Sequence, residues 1–227
     1  MSRRVVVVTG TGSHVVRALA ERLSGEGDSV IALDTSGGTG PDALDPMDAV
    51  AVGGVVARVV AQHGRLDVWV NHHEALPTGS AASLRAADLD AALRATVTAS
   101  FVCAQAVQPV MARAGSGVIV NIGTVDAFHA AEGRLAIGVA QAALVKLTQA
   151  LGVEWAPSGV RVVGVATGAI VDDPSEVAMP RPRIPLARAA TLDEVVDAIV
   201  HLAGPEASYV TGETLRVDGG WSAYQLF

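Results

Sequence analysis

Titratable side chains gather at a few points of a chain in which only 17% of the residues are charged. Four histidines and several acids come directly after short runs of β-branched residues, and a threonine lies among them. The candidate catalytic residues in these segments are His73, Glu74, Thr124, Asp126, His129 and Asp172. A carboxylate beside an imidazole in apolar surroundings can keep one group as a base and the other as an acid near neutral pH. These residue types therefore favour general acid–base chemistry on a small-molecule substrate.

The elements that must position these residues alternate regularly along the chain. Five short β-branched segments are each followed by a longer Ala- and Leu-rich segment with helical periodicity. The first of them is Val5 to Val8, and a sixth β-branched segment, Thr214 to Val217, comes last. The predicted helices are His14–Leu23, Pro46–His63, Asp88–Ala114, Ala136–Trp155 and Thr191–Leu202. This order predicts a Rossmann-like, doubly wound parallel sheet in a three-layer α/β/α arrangement. Ligands of such sheets bind beyond the carboxyl ends of the strands, where the candidate residues lie.

Composition excludes several other classes of protein. The chain has 227 residues, 50% of them hydrophobic, with a net charge of −7, which predicts a single domain spanning residues 1–227. No apolar run reaches the ~18 residues of a membrane span. The acidic balance argues against a nucleic-acid partner. The single cysteine, Cys103, allows no disulfide or cysteine-rich metal site, and we expect no metal and a cytoplasmic location.

Several segments are similar to the short-chain dehydrogenase/reductase family, in particular to ketoacyl-carrier-protein reductases. They are VVVVTG at 5–10, GRLDVWVN at 64–71, GVIVN at 117–121 and YVTGETLRVDGG at 209–220. The resemblance extends from about residue 4 to about residue 221. It implies a nicotinamide cofactor and dimers, often tetramers, formed through the long helix around residues 95–110 and the helix that begins at Ala136.

The phosphate-binding pattern of this family is only partly present. The family sequence Thr-Gly-x-x-x-Gly-x-Gly begins here at Thr9 and Gly10, but His14 and Val16 stand where its other glycines belong, and Gly12 is out of register. Those glycines let the backbone approach a pyrophosphate. We therefore expect side chains at positions 14 and 16 to oppose the phosphates.

Residues for the adenosine half of the cofactor are better preserved. Asp34 ends the second strand, where an acid binds ribose hydroxyls. Asp45 matches the family residue near adenine, and Asn71 begins the segment that replaces the family's Asn-Asn-Ala-Gly. Together with Gly10 and Gly12, these form the predicted cofactor-binding set. The expectation is weak residual NAD(H) binding and no required cofactor.

The family's catalytic tetrad is absent. By register, Thr96 replaces its asparagine, Thr124 its serine, Ile137 its tyrosine and Gln141 its lysine. Tyrosine and lysine at i and i+4 share one helix face, where the ammonium lowers the pKa of the phenol. Ile137 has no proton to donate. This replacement predicts that hydride transfer is not productive.

Three hypotheses for the function follow. The leading one is a non-redox enzyme, a cyclase, dehydratase, isomerase or lyase, that uses the clustered histidines and carboxylates on an apolar, polyketide-like substrate. The alternative is a non-catalytic subunit beside an active member of the family, and the third hypothesis is an NAD-dependent reductase. In each case we expect an oligomer, a homodimer, a homotetramer or a complex with an active relative. The proline-rich segment from Asp172 to Pro185 is predicted to be a surface lid.

Overall fold

A parallel sheet forms the centre of the protein. The computed structural model describes residues 3–73, 77–171 and 184–224. Its sheet contains β1 (Val5–Thr9), β2 (Ser29–Leu33), β3 (Val68–Asn71), β4 (Gly117–Thr124), β5 (Val160–Thr167) and β8 (Thr214–Val217). The strand order is β2-β1-β3-β4-β5-β8, and every neighbouring pair is parallel. Two further short strands, β6 (Ile170–Val171) and β7 (Ala190–Thr191), pair with each other. The predicted doubly wound architecture is confirmed.

Helices cover both faces of this sheet. They are α1 (His14–Gly25), α2 (Ala49–His63), α3 (Ala86–Leu93), α4 (Ala99–Ala114), α5 (Leu135–Trp155) and α6 (Leu192–Ala203). Side chains alternate along β1, so Val5 and Val7 pack in the core on the side of α2, α4 and α5, whereas Val6 and Val8 pack on the side of α1 and α6. Burial on both faces explains why these strands are almost entirely apolar.

Two of the predicted helices differ from the structure for local reasons. The second helix begins at Ala49 and not at Pro46, because the Asp48 carboxylate caps its first turn by accepting from the N–H groups of Val50 and Ala51. The long helix predicted from Asp88 to Ala114 contains a π-helical segment, Arg94–Thr98, between α3 and α4. Such π-bulges are frequent at functional sites.

Two helical segments are long and apolar enough to cross a membrane by length and composition, Ala86–Ala114 and Leu135–Ser158. Within one copy of the chain, 39% of the most apolar 18-residue stretch of the first segment is buried, and 44% of that of the second. Both pack against the sheet, as core helices do. Their incompletely covered faces are available for contact with another chain.

A network of buried polar side chains joins β3, β4 and α5. The Asn71 amide donates to Asn121 Oδ1 at 2.9 Å, and Asn71 Oδ1 accepts from the Trp69 indole at 2.7 Å. The Asn121 amide then donates to Thr148 Oγ1 at 3.0 Å. Buried polar groups need such partners, because an unpaired one costs about 1–3 kcal/mol.

Replacing Asn121 with alanine should therefore destabilise the protein strongly. The change leaves the Asn71 amide without its main acceptor and opens a cavity between β4 and α5, so we expect a loss of about 2–5 kcal/mol in the free energy of unfolding. Urea denaturation measures this loss. Ser80→Ala, at an exposed site, is the control and should stay within about 0.5 kcal/mol of the parent. A similar small change for Asn121→Ala would show that the network contributes little.

Candidate functional site

A cleft of about 470 Å³ lies at the carboxyl ends of β1 and β3. The turn from β1 to α1 forms one side of it, and the segments after β2 and β3 and the start of the long helix form the rest. Its lining includes Gly10, Gly12, Ser13, Thr35, Asp45, His72 and His73. Parallel strands bring these separate segments together because all their carboxyl ends meet at one edge.

Gly10 allows the backbone to make the tight turn at the base of this cleft. Its φ is +89°, and a Cβ atom there would lie 2.1 Å from the His72 carbonyl oxygen. Only glycine fits such a position. At Gly12, by contrast, a Cβ would meet no heavy atom within 4 Å, so the cleft is open on that side.

The side chains at positions 14 and 16 do not fill the cleft. His14 is exposed at the first position of α1, and Val16 is fully buried in the core between α1 and the sheet. Neither lines the cleft among the described residues. Val16 therefore does not oppose a pyrophosphate, because it packs into the core, whereas for His14, exposed at the start of α1, the expectation stays a prediction.

The two acids predicted to face adenosine lie near the cleft, at its edge. Asp34 follows β2, and its carboxylate accepts from the Ser36 N–H at 2.8 Å. Hydrogen bonds from the Ser36 hydroxyl and backbone lower the pKa of Asp34. Asp45 lines the cleft and accepts from the Met47 N–H at 2.9 Å. Asn71, predicted to bind cofactor, instead directs its amide into the buried network described above.

His73 is a buried, neutral imidazole. Its Nε2 lies 3.2 Å from Thr9 Oγ1, and because the Thr9 hydroxyl donates to the Val70 carbonyl, Nε2 is the donor of this pair. The ring also contacts the thiol of Cys103, whose pKa burial raises to about 12, in keeping with the predicted packing role of that residue. Burial, together with the charge of His72, lowers the pKa of His73 to about 3. His73 is therefore an uncharged imidazole near neutral pH whose Nε2 hydrogen is used on Thr9, and its catalytic role stays a prediction.

Thr124 and Asp126 do come together, at the end of β4. The Thr124 hydroxyl donates to Asp126 Oδ2 at 2.7 Å. Arg134, which precedes α5, pairs with both oxygens of the same carboxylate at 2.5 and 2.6 Å. Burial raises the pKa of Asp126, but the hydrogen bonds from Arg134 and Thr124 outweigh it and hold the pKa below its usual range. Sequence reasoning missed Arg134, for which the only signal was a cation eight residues after a candidate acid.

His129 lies beyond this cluster, on the far side of the short helical turn Val125–Ala127. Its Nδ1 donates to the Val125 carbonyl at 3.0 Å, and its ring packs on Trp221 at a centroid distance of 4.6 Å. The remaining nitrogen, Nε2, is buried without a hydrogen-bond partner. Glu74 and Asp172 lie outside the described residues, as does most of the predicted lid.

The helix face that should carry tyrosine and lysine is packed against β4. Ile137 is 1% exposed, and Gln141, 2% exposed, accepts from the Thr124 N–H through Oε1 at 3.0 Å. Thr96 is buried in the π-helical segment. The only lysine of the chain, Lys146, is exposed. Within the described ranges, neither a phenol nor an ammonium group reaches Thr124, and no three His, Cys, Asp or Glu side chains are grouped to hold a metal ion.

A doubly wound parallel sheet with a cleft at its carboxyl edge places the chain in the class of α/β folds that bind ligands at that edge. A family model described as enoyl-(acyl carrier protein) reductase matches residues 12–222. The chain belongs to the short-chain dehydrogenase/reductase family. It is 32% identical to 2-(R)-hydroxypropyl-CoM dehydrogenase of Xanthobacter autotrophicus over 97% of this chain and 99% of that protein. It is 29% identical to 3-oxoacyl-[acyl-carrier-protein] reductase of Thermotoga maritima, covering 96% and 97%.

Solved structures agree. A short-chain dehydrogenase/reductase from Burkholderia xenovorans superposes with a TM-score of 0.88 at 30% identity, covering 98% of each chain. The similarity to ketoacyl-carrier-protein reductases is thus confirmed over nearly the whole chain.

These relatives overturn two expectations. They are named as dehydrogenases and reductases, so a non-redox cyclase, dehydratase, isomerase or lyase is wrong as the leading hypothesis, and a non-catalytic role finds no support among them. The expectation that no cofactor is required is wrong for the same reason. The two missing glycines do not close the cleft, since Val16 packs into the core and neither His14 nor Val16 is among the residues that line it.

The burial of a neutral His73 predicts an acid-sensitive fold. Between pH 6.5 and about 3, the unfolded chain binds a proton at this residue that the folded chain does not. The free energy of unfolding should therefore fall with decreasing pH, at up to about 1.4 kcal/mol per pH unit from this group alone. Urea denaturation from pH 7 to pH 4 measures the slope.

His73→Leu should flatten this dependence, because it removes the titrating group and leaves the Thr9 hydroxyl bonded to Val70. His201→Gln, which removes an exposed histidine, should keep the slope of the parent protein. Equal slopes for His73→Leu and the parent would contradict the assignment.

Proposed function

We propose that the protein is an NAD(P)-dependent oxidoreductase that interconverts a hydroxyl and a carbonyl group of a small molecule. The observation that carries the proposal is the open cleft at the Gly10 turn, in a chain whose relatives are named as dehydrogenases and reductases. We further propose that residues 1–227 act as one domain and that the protein works in the cytoplasm. These relatives act on compounds with a hydroxyl or ketone, which is why a small molecule of that class is the proposed substrate.

The residues of the cleft fit a dinucleotide. The turn at Gly10, where a Cβ would collide with the His72 carbonyl, leads to the N-terminus of α1, where the first N–H groups and the helix dipole favour a pyrophosphate. Ser13, the residue before α1, uses its side chain in no capping hydrogen bond. Gly10, Gly12 and Ser13 would hold the phosphates, and Thr35, Ser36 and Asp45 the adenosine.

When bound, the nicotinamide supplies a hydride donor or acceptor. The work of this chain is to hold the cofactor in the cleft and to orient the substrate beside the end of β4. Thr124 is the residue we assign to that second task, since it lies half-buried at the same edge of the sheet. Ile137 and Gln141 contribute packing there and take no part in proton transfer.

A charge placed at Ser13 tests the cofactor site. Ser13→Glu puts a carboxylate at the N-terminus of α1, where it should repel the phosphates and weaken NADH binding about tenfold or more. Ser13→Gln has a similar size without the charge and should bind NADH within about threefold of the parent. Titration calorimetry or quenching of tryptophan fluorescence measures both. Absence of NADH and NADPH binding by the parent protein, or equal affinities for the two variants, would contradict the proposed site.

We propose that the protein assembles through α4 and α5. Large apolar side chains on these helices remain exposed in one copy of the chain. They include Phe101 on α4 and Val139 and Val153 on α5, and Val153 is 76% exposed. An apolar surface of this kind favours a partner. The homodimer formed through these helices is the assembly we propose.

Phe101→Glu should disrupt this assembly, because it buries a charge in the proposed interface. Light scattering at micromolar concentration should give a dimer or tetramer for the parent protein and a monomer for the variant. Val50→Glu, at an 85% exposed residue of α2, is the matched control and should leave the assembly intact. A monomeric parent protein would contradict the proposal. Recovery only in complex with a second chain that carries tyrosine and lysine would place the redox centre across two different chains.

A further inference from the structure

A second large groove lies at the amino ends of the strands, on the opposite edge of the sheet from the cleft at Gly10. This amino-edge groove has a volume of about 1380 Å³ and is lined by the starts of β3, β4 and β5, the residues before β1 and the end of α6. Three of its arginines are Arg4, Arg65 and Arg161. The groove shares no lining residue with the cleft, so a ligand bound here is separate from the proposed redox site.

Two of these arginines are balanced by aspartates of the protein. The Arg4 guanidinium donates to both carboxylate oxygens of Asp28, and Arg65 pairs with Asp67 at 2.6 Å. The hydrogen bond to each aspartate raises the pKa of its arginine. The positive charges of these two residues are therefore compensated within the chain.

Arg161, the second residue of β5, has no acidic partner among the described residues. Its Nη1 donates to the carbonyls of Leu202 and Val210 at 3.0 and 3.1 Å, and its Nη2 donates to the Gly204 carbonyl at 3.0 Å. These oxygens hold the guanidinium in place but are neutral and do not balance its charge. Partial burial lowers the pKa of Arg161, and no carboxylate in the described part of the chain offsets that shift.

The Arg161 guanidinium keeps two donors for a ligand. Of its five N–H groups, three are used on the carbonyls, which leaves the Nε–H and one hydrogen of Nη2. Nε donates to none of the described residues and is not buried, so it is reachable from the groove that Arg161 lines. Nε and Nη2 lie on one edge of the planar group, where parallel N–H bonds match the two oxygens of a carboxylate.

The other acids of the amino-edge groove leave this position open to an anion. Asp197 is bound to Arg22 at 2.6 Å, and Glu26 lies 3.7 Å from the same arginine. Glu206 is exposed and does not contribute to the pKa of Arg161. An incoming carboxylate therefore meets an uncompensated cation.

An exposed aromatic ring stands beside the same position. Tyr209 directly precedes Val210, whose carbonyl Arg161 binds, and its fully exposed side chain lines the groove. A tyrosine ring offers a flat apolar surface on which another ring can stack. A ligand with both an aromatic ring and a carboxylate can use Tyr209 and Arg161 together.

We propose that the amino-edge groove binds a small aromatic carboxylate, with the carboxylate held by Arg161 Nε and Nη2 and the ring against Tyr209. The ligand supplies the negative charge that Arg4 and Arg65 receive from aspartates and Arg161 does not. This site is independent of the proposed redox function, because it lies at the other edge of the sheet.

A matched pair of ligands tests the site. Benzoate and benzamide have nearly the same shape and differ in negative charge. Ligand-observed NMR titration of the parent protein should give about tenfold tighter binding for benzoate, because only benzoate forms charge-assisted hydrogen bonds on both oxygens. Inorganic phosphate should bind about fivefold more weakly than benzoate, because it has no ring to stack on Tyr209. Added NADH should leave the benzoate affinity unchanged.

Substitution of Arg161 tests the carboxylate contact. Arg161→Lys keeps the positive charge but removes the planar pair of donors, so the affinity for benzoate should fall about tenfold. Arg58→Lys, at an exposed arginine of α2, is the matched control and should bind benzoate as the parent protein does. Circular dichroism checks that both variants are folded.

Substitution of Tyr209 tests the ring contact at a site that the fold does not need. Tyr209→Ala should weaken benzoate binding about fivefold and leave acetate binding unchanged, since acetate has no ring. Tyr209→Phe keeps the aromatic surface and should retain the affinity of the parent protein. If Arg161→Lys does not fold, the comparison of these two Tyr209 variants decides the question.

Failure of benzoate to bind more tightly than benzamide or phosphate would overturn the inference, as would its displacement by NADH. Benzoate affinities that are equal in the parent protein, Arg161→Lys and Tyr209→Ala would also overturn it, because the ligand would then lie elsewhere. Benzoate binding that depends on Arg161 and Tyr209, in a protein that binds neither NADH nor NADPH, would uphold this site and reject the proposed redox function.

Discussion

Burial of both faces of a parallel sheet is the constraint on which the rest of this protein depends. Side chains of β1 enter two separate hydrophobic cores in alternation, so neither face can hold a polar site in its interior without full hydrogen bonding. Where polar groups do lie inside, at Asn71 and Asn121, they pair with each other across β3 and β4. The chemistry is thereby confined to the carboxyl edge, where the chain leaves the sheet and backbone and side-chain groups can reach a ligand.

At that edge, the end of β4 has been rebuilt around different interactions from those of the family pattern. The face of α5 where tyrosine and lysine would stand is joined to β4 through Gln141, whose carbonyl takes the Thr124 N–H. Asp126 and Arg134 form a second connection between the same two elements, across the loop that links them. Because the Asp126 carboxylate is buried, breaking this pair is costly, since its charge would remain unpaired. The loop is consequently held in one arrangement, and Thr124 with it.

The fold could be predicted from the residues because its signals are local and repeated. Val5 to Val8 and Val160 to Val165 are too apolar and too β-branched for anything but buried strands, and the intervening helices follow from periodicity. The site could be predicted only in part. Gly10, Gly12 and Asp45 do line one cleft, but the direction of a side chain depends on packing that no local pattern contains. His73 lies at the expected strand end and lines the cleft, but its Nε2 is directed to Thr9 and Cys103.

The same limit applies to the chemistry of the cleft and to how the proposed redox function accommodates the missing tyrosine. Replacement of a glycine by His14 or Val16 obstructs a phosphate only if the new side chain points at it, and Val16 points into the core instead. Loss of the phenol at position 137 removes one proton donor without removing the cleft, the Gly10 turn or the helix N-terminus that a dinucleotide requires. Binding and proton transfer are thus separable in this fold, since they depend on different strand ends. What has changed in this chain is the hydrogen-bond polarity at the end of β4, where a donor-rich pair of side chains has given way to a hydroxyl committed to a carboxylate.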